Sequence, residues 1–188
     1  MSSSEERYQA KAPYITGAGI ARIISARTGK VTIGLTSLSW EQKIPEIQLI
    51  AASMDVGERL TVIEYASSNE ATKYWLHSLY GKKRKLQGMD DFQEVQAKPY
   101  IPRPDEWLAF FNRAGMWASI DYDFIKREST WQWIRDGEIT KDQLPELNSL
   151  FQEAPPPIRN ELHIVRREGV TRFDQRMVII GAYKKPWG

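Results

Sequence analysis

Alternation of apolar and polar residues is the clearest local pattern near the start of the chain. From residue 31 to residue 36, apolar positions alternate with threonine and glycine, which is the period of a half-buried strand. An apolar run at residues 20–26 precedes this segment, and Thr28 and Gly29 lie in the connection. Because a short connection containing glycine is typical of a turn between paired strands, the sequence predicts a β-hairpin here.

A second pair of apolar runs occupies residues 47–53 and 59–66, on either side of a turn at residues 55–58. The later run is rich in β-branched residues, which predicts a strand. The earlier run has two interpretations, since Pro45 is a residue type that opens helices and Ile47 and Ile50 would share a helical face. The pattern leaves strand and helix open for this run.

A helix is predicted directly after the second strand. Ser67 and Glu70 have the spacing of a capping box, in which each residue satisfies the backbone N–H of the other. Trp75 and Leu79 then fall on one helical stripe, and Gly81 is a residue type that commonly ends a helix. The sequence therefore predicts that the helix ends at Gly81, before a run of basic residues.

The middle of the chain reads as a loop followed by helices. Residues 86–104 are polar and contain three prolines, which is typical of a linker or long surface loop. Helical spacing of apolar residues then predicts helices over residues 105–114 and 122–135. Thr140 and Gln143 form a second capping box before another apolar stripe.

The end of the chain is predicted to return to β-structure, with a hairpin around Glu168 and Gly169. Together the elements predict an α+β protein with a small antiparallel, OB-like sheet, built from the N-terminal strands and the C-terminal hairpin, and a central helical section. The predicted organisation is a disordered lead-in, a β-rich part with one helix, a linker, a helical section and a C-terminal hairpin, at residues 1–12, 13–85, 86–104, 105–154 and 155–188.

Composition excludes several classes of chemistry. The 188 residues contain no cysteine and two histidines, so thiolate nucleophiles and cysteine-ligated zinc are absent. No motif indicates a cofactor or a metal site, and no apolar run approaches the length of a membrane span. The N-terminal residues lack the apolar core of a signal peptide, so a cytoplasmic location without membrane association is expected. The net charge is only +2, so any anion binding must come from local clusters of cations.

The main functional hypothesis rests on aromatic residues that precede a basic run. Aromatic faces stack on bases and cations contact phosphates, which is what single-stranded nucleic acid requires. The sequence therefore predicts a non-enzymatic protein that binds nucleic acid with little sequence preference. The expected contact residues are Tyr74, Tyr80, Lys82, Lys83, Arg84 and Lys85, with Arg166 and Arg167 as secondary ones. Whether DNA or RNA is bound, and the oligomeric state, stay open.

Two alternatives belong to other functional classes. Trp131 and Trp133 cannot both face one core if they lie on a helix, so one of them is a candidate anchor for a protein partner. This would make the protein an adaptor or inhibitor. Glu41 and Lys43 have the Glu-x-Lys spacing of metal-dependent nucleases, although no acidic partner precedes them.

A third set of polar residues lies near the C-terminal hairpin. Glu161 and His163 are expected to share a face of one strand, with Asp174 across the hairpin. A carboxylate beside an imidazole is either a general-base pair or a polar pair on a wet face. The sequence leaves the catalytic role of these residues open.

Overall fold

The computed structural model describes residues 30–33, 35, 40–88 and 101–186. The predicted lead-in at residues 1–12 and the first predicted strand at residues 20–26 lie outside the described residues. The hairpin predicted between residues 20–26 and the strand near residue 31 therefore has only its second strand among the described residues.

An open, mixed β-sheet forms the centre of the described structure. Its strands are β1 (Lys30–Ile33), β2 (Arg59–Tyr65), β3 (Met116–Ser129), β4 (Val165–Arg167) and β5 (Val170–Lys184). The order across the sheet is β1-β2-β5-β3, and β4 pairs with the start of β5. β1 and β2 run parallel, whereas β5 is antiparallel to both of its long neighbours. The sheet thus combines a parallel pair with an antiparallel strand inserted between β2 and β3.

Six α-helices connect or cover these strands in the described part of the chain. They are α1 (Trp40–Ala52), α2 (Glu70–Leu86), α3 (Pro104–Arg113), α4 (Thr130–Arg135), α5 (Leu144–Glu153) and α6 (Pro156–Glu161). α1 joins β1 to β2, because parallel neighbours need a crossover rather than a tight turn. A short 3₁₀ helix at Lys141–Gln143 leads into α5.

The core divides between the two faces of the sheet. On one face, apolar side chains of α1 and α3 pack on alternate residues of β2 and β5, including Val62, Val178 and Ile180. On the other face, α2, α4, α5 and α6 pack around Phe173 and Trp133. The second cluster covers the part of β5 that extends past the end of β2.

The hydrogen-bond register shows how far the longer strands extend. Tyr65, the last residue of β2, pairs with Met177 of β5. Residues 170–176 of β5 therefore lie beyond the end of β2, where residues 172–176 pair with the second half of β3 and residues 170–172 pair with β4. These residues of β3 and β5, together with β4 and the turn that precedes it, form an arm past the end of the parallel pair.

The structure corrects the prediction of a helix over residues 122–135. Residues 122–129 belong to β3, and only Thr130–Arg135 is helical. Phe124 and Glu128, which are buried on this strand, are four residues apart. That spacing fits one face of a helix and one face of a strand equally well. Cross-strand hydrogen bonds to β5 stabilise the strand conformation of these residues.

The helix after β2 is displaced and longer than predicted. Its N-cap is Asn69, whose side chain accepts a hydrogen bond from the Thr72 amide, and not Ser67. The Ser67 hydroxyl instead donates to the Ile101 carbonyl at 3.1 Å. The helix also continues through Gly81 to Leu86, so the basic run is helical and does not form a loop.

Other predictions of local structure are confirmed. The strand at β2 is present, and residues 47–52 take the helical alternative as part of α1. Gln143 caps the Thr140 amide at 2.8 Å, as its spacing predicts. Glu168 and Gly169 turn the C-terminal hairpin with φ of 52° and 78°.

The α+β class is confirmed, but the OB-like prediction is wrong. An OB fold is a partly closed barrel, whereas the described sheet is open, with β1 and β3 at its edges. The parallel β1–β2 pair is also foreign to an antiparallel sheet. No helix in the described part of the chain is both long and apolar enough to cross a membrane.

Candidate functional site

The ends of the parallel strands define the candidate site. Ligands of open α/β sheets bind in the crevice outside the carboxyl ends of the strands. In this sheet β1 ends at Ile33 and β2 at Tyr65, on the same side. We call this region the carboxyl edge, and it comprises Leu35, residues 66–72 and the arm formed by residues 123–129 and 163–176.

Two buried side chains of opposite charge, Lys43 and Glu64, fix the backbone just after β1. The Glu64 carboxylate accepts a hydrogen bond from the Leu35 N–H, and Lys43 Nζ donates to the Leu35 carbonyl at 2.9 Å. Lys43 lies 5.5 Å from the centre of the Trp107 ring. The backbone N–H and the backbone carbonyl of Leu35 are thus both held by side chains, from β2 and α1 respectively.

Both side chains are buried, and burial shifts the pKa of Lys43. Lys43 is 0% exposed and Glu64 is 2% exposed. Burial lowers the pKa of Lys43 from 10.5 to about 7, because the charged ammonium loses its hydration, and the nearby Glu64 carboxylate opposes that shift. The clamp on Leu35 therefore contains a lysine whose charge changes near neutral pH.

The segment after β2 is tied to the arm and to α6. The Ala66 carbonyl accepts from Gln175 Nε2 at 3.2 Å, and the Ala66 amide donates to the Arg176 carbonyl at 2.9 Å. The Glu161 carboxylate accepts from Asn69 Nδ2 and Thr72 Oγ1, each at 2.6 Å. Glu161 thus places the end of α6 against the start of α2.

A histidine and an aspartate meet on the arm. His163 Nδ1 lies 2.8 Å from Asp174 Oδ2, and Arg127 Nε donates to Asp174 Oδ1 at 2.8 Å. The Asp174 side chain is 3% exposed, whereas that of His163 is 48% exposed. A carboxylate that orients an imidazole is the arrangement used by general bases. This contact joins two of the three residues that the sequence left open, while Glu161 lies in α6 rather than on a strand.

Further charged side chains share the face of the arm that carries Asp174. Arg127 is directly opposite Asp174 in the register, and Arg172 is two residues before Asp174 in β5. Strand side chains alternate, so Arg172 and Asp174 point to the same side. Arg176 on that side forms a bidentate ion pair with Asp123. The arm therefore presents a polar surface beside the carboxyl edge.

The predicted aromatic and basic residues are mostly engaged in intramolecular contacts. Tyr80 packs against Tyr65 and Trp133, with ring centres 5.7 Å and 6.2 Å away. Burial raises the pKa of Tyr80. Lys83 pairs with Glu138 and lies 4.3 Å from the Trp133 ring centre. These side chains stabilise the packing of α2 on the helices that follow β3.

The other predicted contact residues lie at several positions of α2 and on β4. Lys82 pairs with Glu146 on α5. Arg84 and Lys85 lie in the last turn of α2, where the helix dipole stabilises positively charged side chains. Tyr74 is 65% exposed on the same helix. Arg166 and Arg167 are exposed on β4, a separate element.

Trp131 and Trp133 diverge, as residues two apart on a helix must. Trp131 is 50% exposed and Trp133 is 3% exposed. Lys141 Nζ lies 5.8 Å from the Trp131 ring centre. Trp133 is therefore part of the core between α2 and the arm.

Glu41 and Lys43 do not build a metal centre. Both lie on α1, and Lys43 is buried in its contact with Leu35 while Glu41 is exposed. Within the described ranges, no group of three or more potential metal-ligating His, Cys, Asp or Glu side chains is found. The nuclease alternative is not supported by this geometry.

Comparison with known proteins identifies the fold. No family model matches the sequence, and no curated protein matches it. The structure is similar to YcgJ from Bacillus subtilis, with a TM-score of 0.64 and 12% identity, over 83% of this chain and 64% of that one. It is also similar to BH2331 from Bacillus halodurans C-125, described as a candidate methyltransferase, with a TM-score of 0.63 and 13% identity, over 82% of this chain and 68% of that one.

These similarities show a methyltransferase-like fold, and this chain spans 64% of the length of YcgJ. They overturn the prediction of a non-enzymatic, OB-like nucleic-acid-binding protein, together with its adaptor and nuclease alternatives. The aromatic and basic residues behind that prediction are adjacent in sequence, but the helix distributes them around its circumference. Several of them serve the packing of this fold instead.

Proposed function

We propose that this chain is a methyltransferase-like protein whose acceptor substrate binds at the carboxyl edge. The observation that supports the proposal is the open sheet with antiparallel β5 between β2 and β3, in a fold similar to that of a candidate methyltransferase over 82% of the chain. Open α/β sheets bind ligands at the carboxyl ends of their parallel strands. An extensive set of polar contacts lies at that edge.

A methyl donor such as S-adenosylmethionine does not fit the buried carboxylate of β2. Its ribose and amino-acid groups need exposed hydrogen-bonding partners at the strand ends. The carboxylate inside β2, Glu64, is 2% exposed and engaged with Leu35, so it is not available to a donor. Holding a donor would therefore require other side chains.

The described residues are better suited to the acceptor side of such a site. Glu64 and Lys43 fix the backbone where β1 ends, and Gln175 fixes the backbone where β2 ends. A rigid backbone at both strand ends gives a bound molecule a defined position. The arm with His163 then extends past these ends and forms a polar wall beside them.

The test is binding and turnover with the full chain. Equilibrium dialysis with radiolabelled S-adenosylmethionine measures donor binding, and mass spectrometry of a panel of hydroxyl and amine acceptors detects methylated product. We expect donor retention and a product whose mass increases by one methylene. A correctly folded protein that neither retains the donor nor methylates an acceptor would refute the proposal.

A matched pair of variants locates the site on the sheet. Ser68 and Val56 are exposed residues in the loops after and before β2, so they lie at opposite edges of the sheet. Ser68→Trp should block acceptor binding at the carboxyl edge by steric overlap. Val56→Trp should leave turnover unchanged. Equal effects of the two variants would contradict this location.

A further inference from the structure

His163 has the geometry of an oriented proton acceptor. Its Nδ1 is 2.8 Å from Asp174 Oδ2. An ionised carboxylate only accepts hydrogen bonds, so this contact places the proton of the neutral ring on Nδ1. The lone pair is then on Nε2, on a side chain that is 48% exposed. The basic nitrogen is accordingly the one that Asp174 does not engage, on a side chain that is open to solvent.

Asp174 is itself held by independent contacts. Arg127 Nε donates to its second carboxylate oxygen at 2.8 Å. Its amide donates to the Leu162 carbonyl at 2.7 Å, which ties β5 to the turn that carries His163. With 3% of its side chain exposed, Asp174 is fixed in position. A base oriented by a rigid carboxylate is prepared for proton transfer before substrate binds.

The backbone of His163 supports a specific role for the turn. Its φ is 44°, in the left-handed region that few non-glycine residues adopt. Strained residues persist where the surrounding structure determines them, and they cluster at functional sites. In this turn the end of α6, fixed by Glu161 to Asn69 and Thr72, and the Asp174 contact determine the conformation.

The surroundings of His163 favour an anionic molecule. Arg172 is exposed on the same face of the arm as Asp174, and Arg127 is 57% exposed. In the β4–β5 register, Val165 is opposite Arg172 and Arg167 is opposite Val170, so Arg167 points to this face as well. Asp174 is paired with Arg127, and Asp123 with Arg176. The exposed Arg167 and Arg172 therefore make this part of the surface basic.

We infer that His163, oriented by Asp174, removes a proton from an acceptor that carries a carboxylate or phosphate beside an O–H or N–H group, with Arg172 and Arg167 binding the anionic group. This inference rests on the proposed function and names the acceptor class of that site. In the step, the acceptor O–H or N–H bond breaks and a bond forms between the proton and Nε2. The electron pair stays on the acceptor oxygen or nitrogen, and Asp174 stabilises the resulting imidazolium.

The first experiment needs no turnover. The chain has two histidines, so His77→Gln leaves His163 as the single imidazole to observe. Long-range ¹H–¹⁵N NMR of ¹⁵N-histidine-labelled His77→Gln at alkaline pH should show the Nδ1-protonated tautomer. Inorganic phosphate should shift the His163 resonances, and Arg172→Gln should abolish that shift. An Nε2-protonated ring, or no phosphate response, would overturn the inference.

The second experiment uses turnover with an anionic acceptor from the panel. His163→Gln should lower kcat by about 100-fold or more, the usual contribution of a general base, while donor binding is unchanged. His77→Gln is the matched control and should keep full activity. Arg172→Gln should raise KM for the anionic acceptor but not for its neutral amide. Undiminished kcat in His163→Gln would refute the inference.

The two proposals fail in different ways. If the wild-type chain binds no donor and methylates nothing, the proposed function fails. The tautomer and the phosphate response would then still decide whether His163 is an oriented base at an anion site. If the wild-type chain is active and His163→Gln is equally active, only the role of His163 fails.

Discussion

Titration of Lys43 should make the free energy of unfolding of this protein increase with pH above neutral pH. Lys43 is 0% exposed, and burial lowers its pKa to about 7, whereas its ordinary value is 10.5. Between these two values the unfolded chain binds a proton that the folded chain does not. Stability therefore rises with pH across this window, because the unfolded state holds more protons. Below pH 7 Lys43 is charged in both states, and the slope disappears.

The expected size follows from the linkage relation. One proton contributes about 1.4 kcal/mol per pH unit inside the window. Allowing for partial protonation at the lower end, the free energy of unfolding should increase by about 2 kcal/mol between pH 7.5 and 9. Above pH 10 the trend reverses, since burial raises the pKa values of Tyr65 and Tyr80 and their folded forms keep protons that the unfolded chain loses.

Urea unfolding monitored by circular dichroism at pH 7.5, 8, 8.5 and 9 measures this slope. Lys43→Met keeps the length of the side chain and removes the titrating group. The free energy of unfolding of this variant should therefore increase by about 2 kcal/mol less than that of the wild type over the same pH range. Lys141→Met, at an exposed lysine, is the matched control and should retain the wild-type slope. Equal slopes for wild type and Lys43→Met would refute the reasoning.

Two further predictions concern α2 and use the same unfolding assay. Gly81→Ala should stabilise by about 1 kcal/mol, because Gly81 is helical and a Cβ there meets nothing within 4 Å. Gly57→Ala, at φ of 83°, should instead destabilise, and a gain there would contradict the backbone argument. Asn69→Ala should cost about 1–2 kcal/mol, since it removes the N-cap and the contact with Glu161. Ser68→Ala, next to the cap, should leave the free energy of unfolding nearly unchanged. Equal losses of stability in Asn69→Ala and Ser68→Ala would rule out a specific cap.

The candidate site shows why local sequence was an incomplete guide to function. Asp174 and His163 were recognisable as a possible carboxylate–imidazole pair, because a hairpin brings its two sides together. Their actual contact also depends on the turn after α6 and on Arg127 from β3. Glu64 was not among the site residues predicted from the sequence. The available signal was an acidic residue inside the otherwise apolar run of β2.

The basic run illustrates the opposite error. Lys82 and Lys83 are adjacent in sequence, which suggests a continuous cationic surface. The helix turns them by about 100° relative to each other, and they pair with Glu146 and Glu138 from the segments after β3. Since both acidic partners are distant in sequence, no local pattern could reveal this neutralisation.

The sequence by itself determined the features that depend on neighbouring residues. β-Branched residues specified β2, Thr140 and Gln143 specified a cap, and Glu168 with Gly169 specified the last turn. The succession of such elements was enough to identify the α+β class. Local propensity and turn chemistry act over a few residues, so they are readable from a single chain.

Only the tertiary structure decided the parallel pairing of β1 with β2, the strand conformation of residues 122–129 and the burial of Lys43. Each depends on partners far away in the sequence. Strand pairing satisfies backbone groups that another strand supplies, and burial of a charge requires a countercharge such as Glu64. The free energy of these contacts exceeds the local preferences, and the position of the candidate site follows from them.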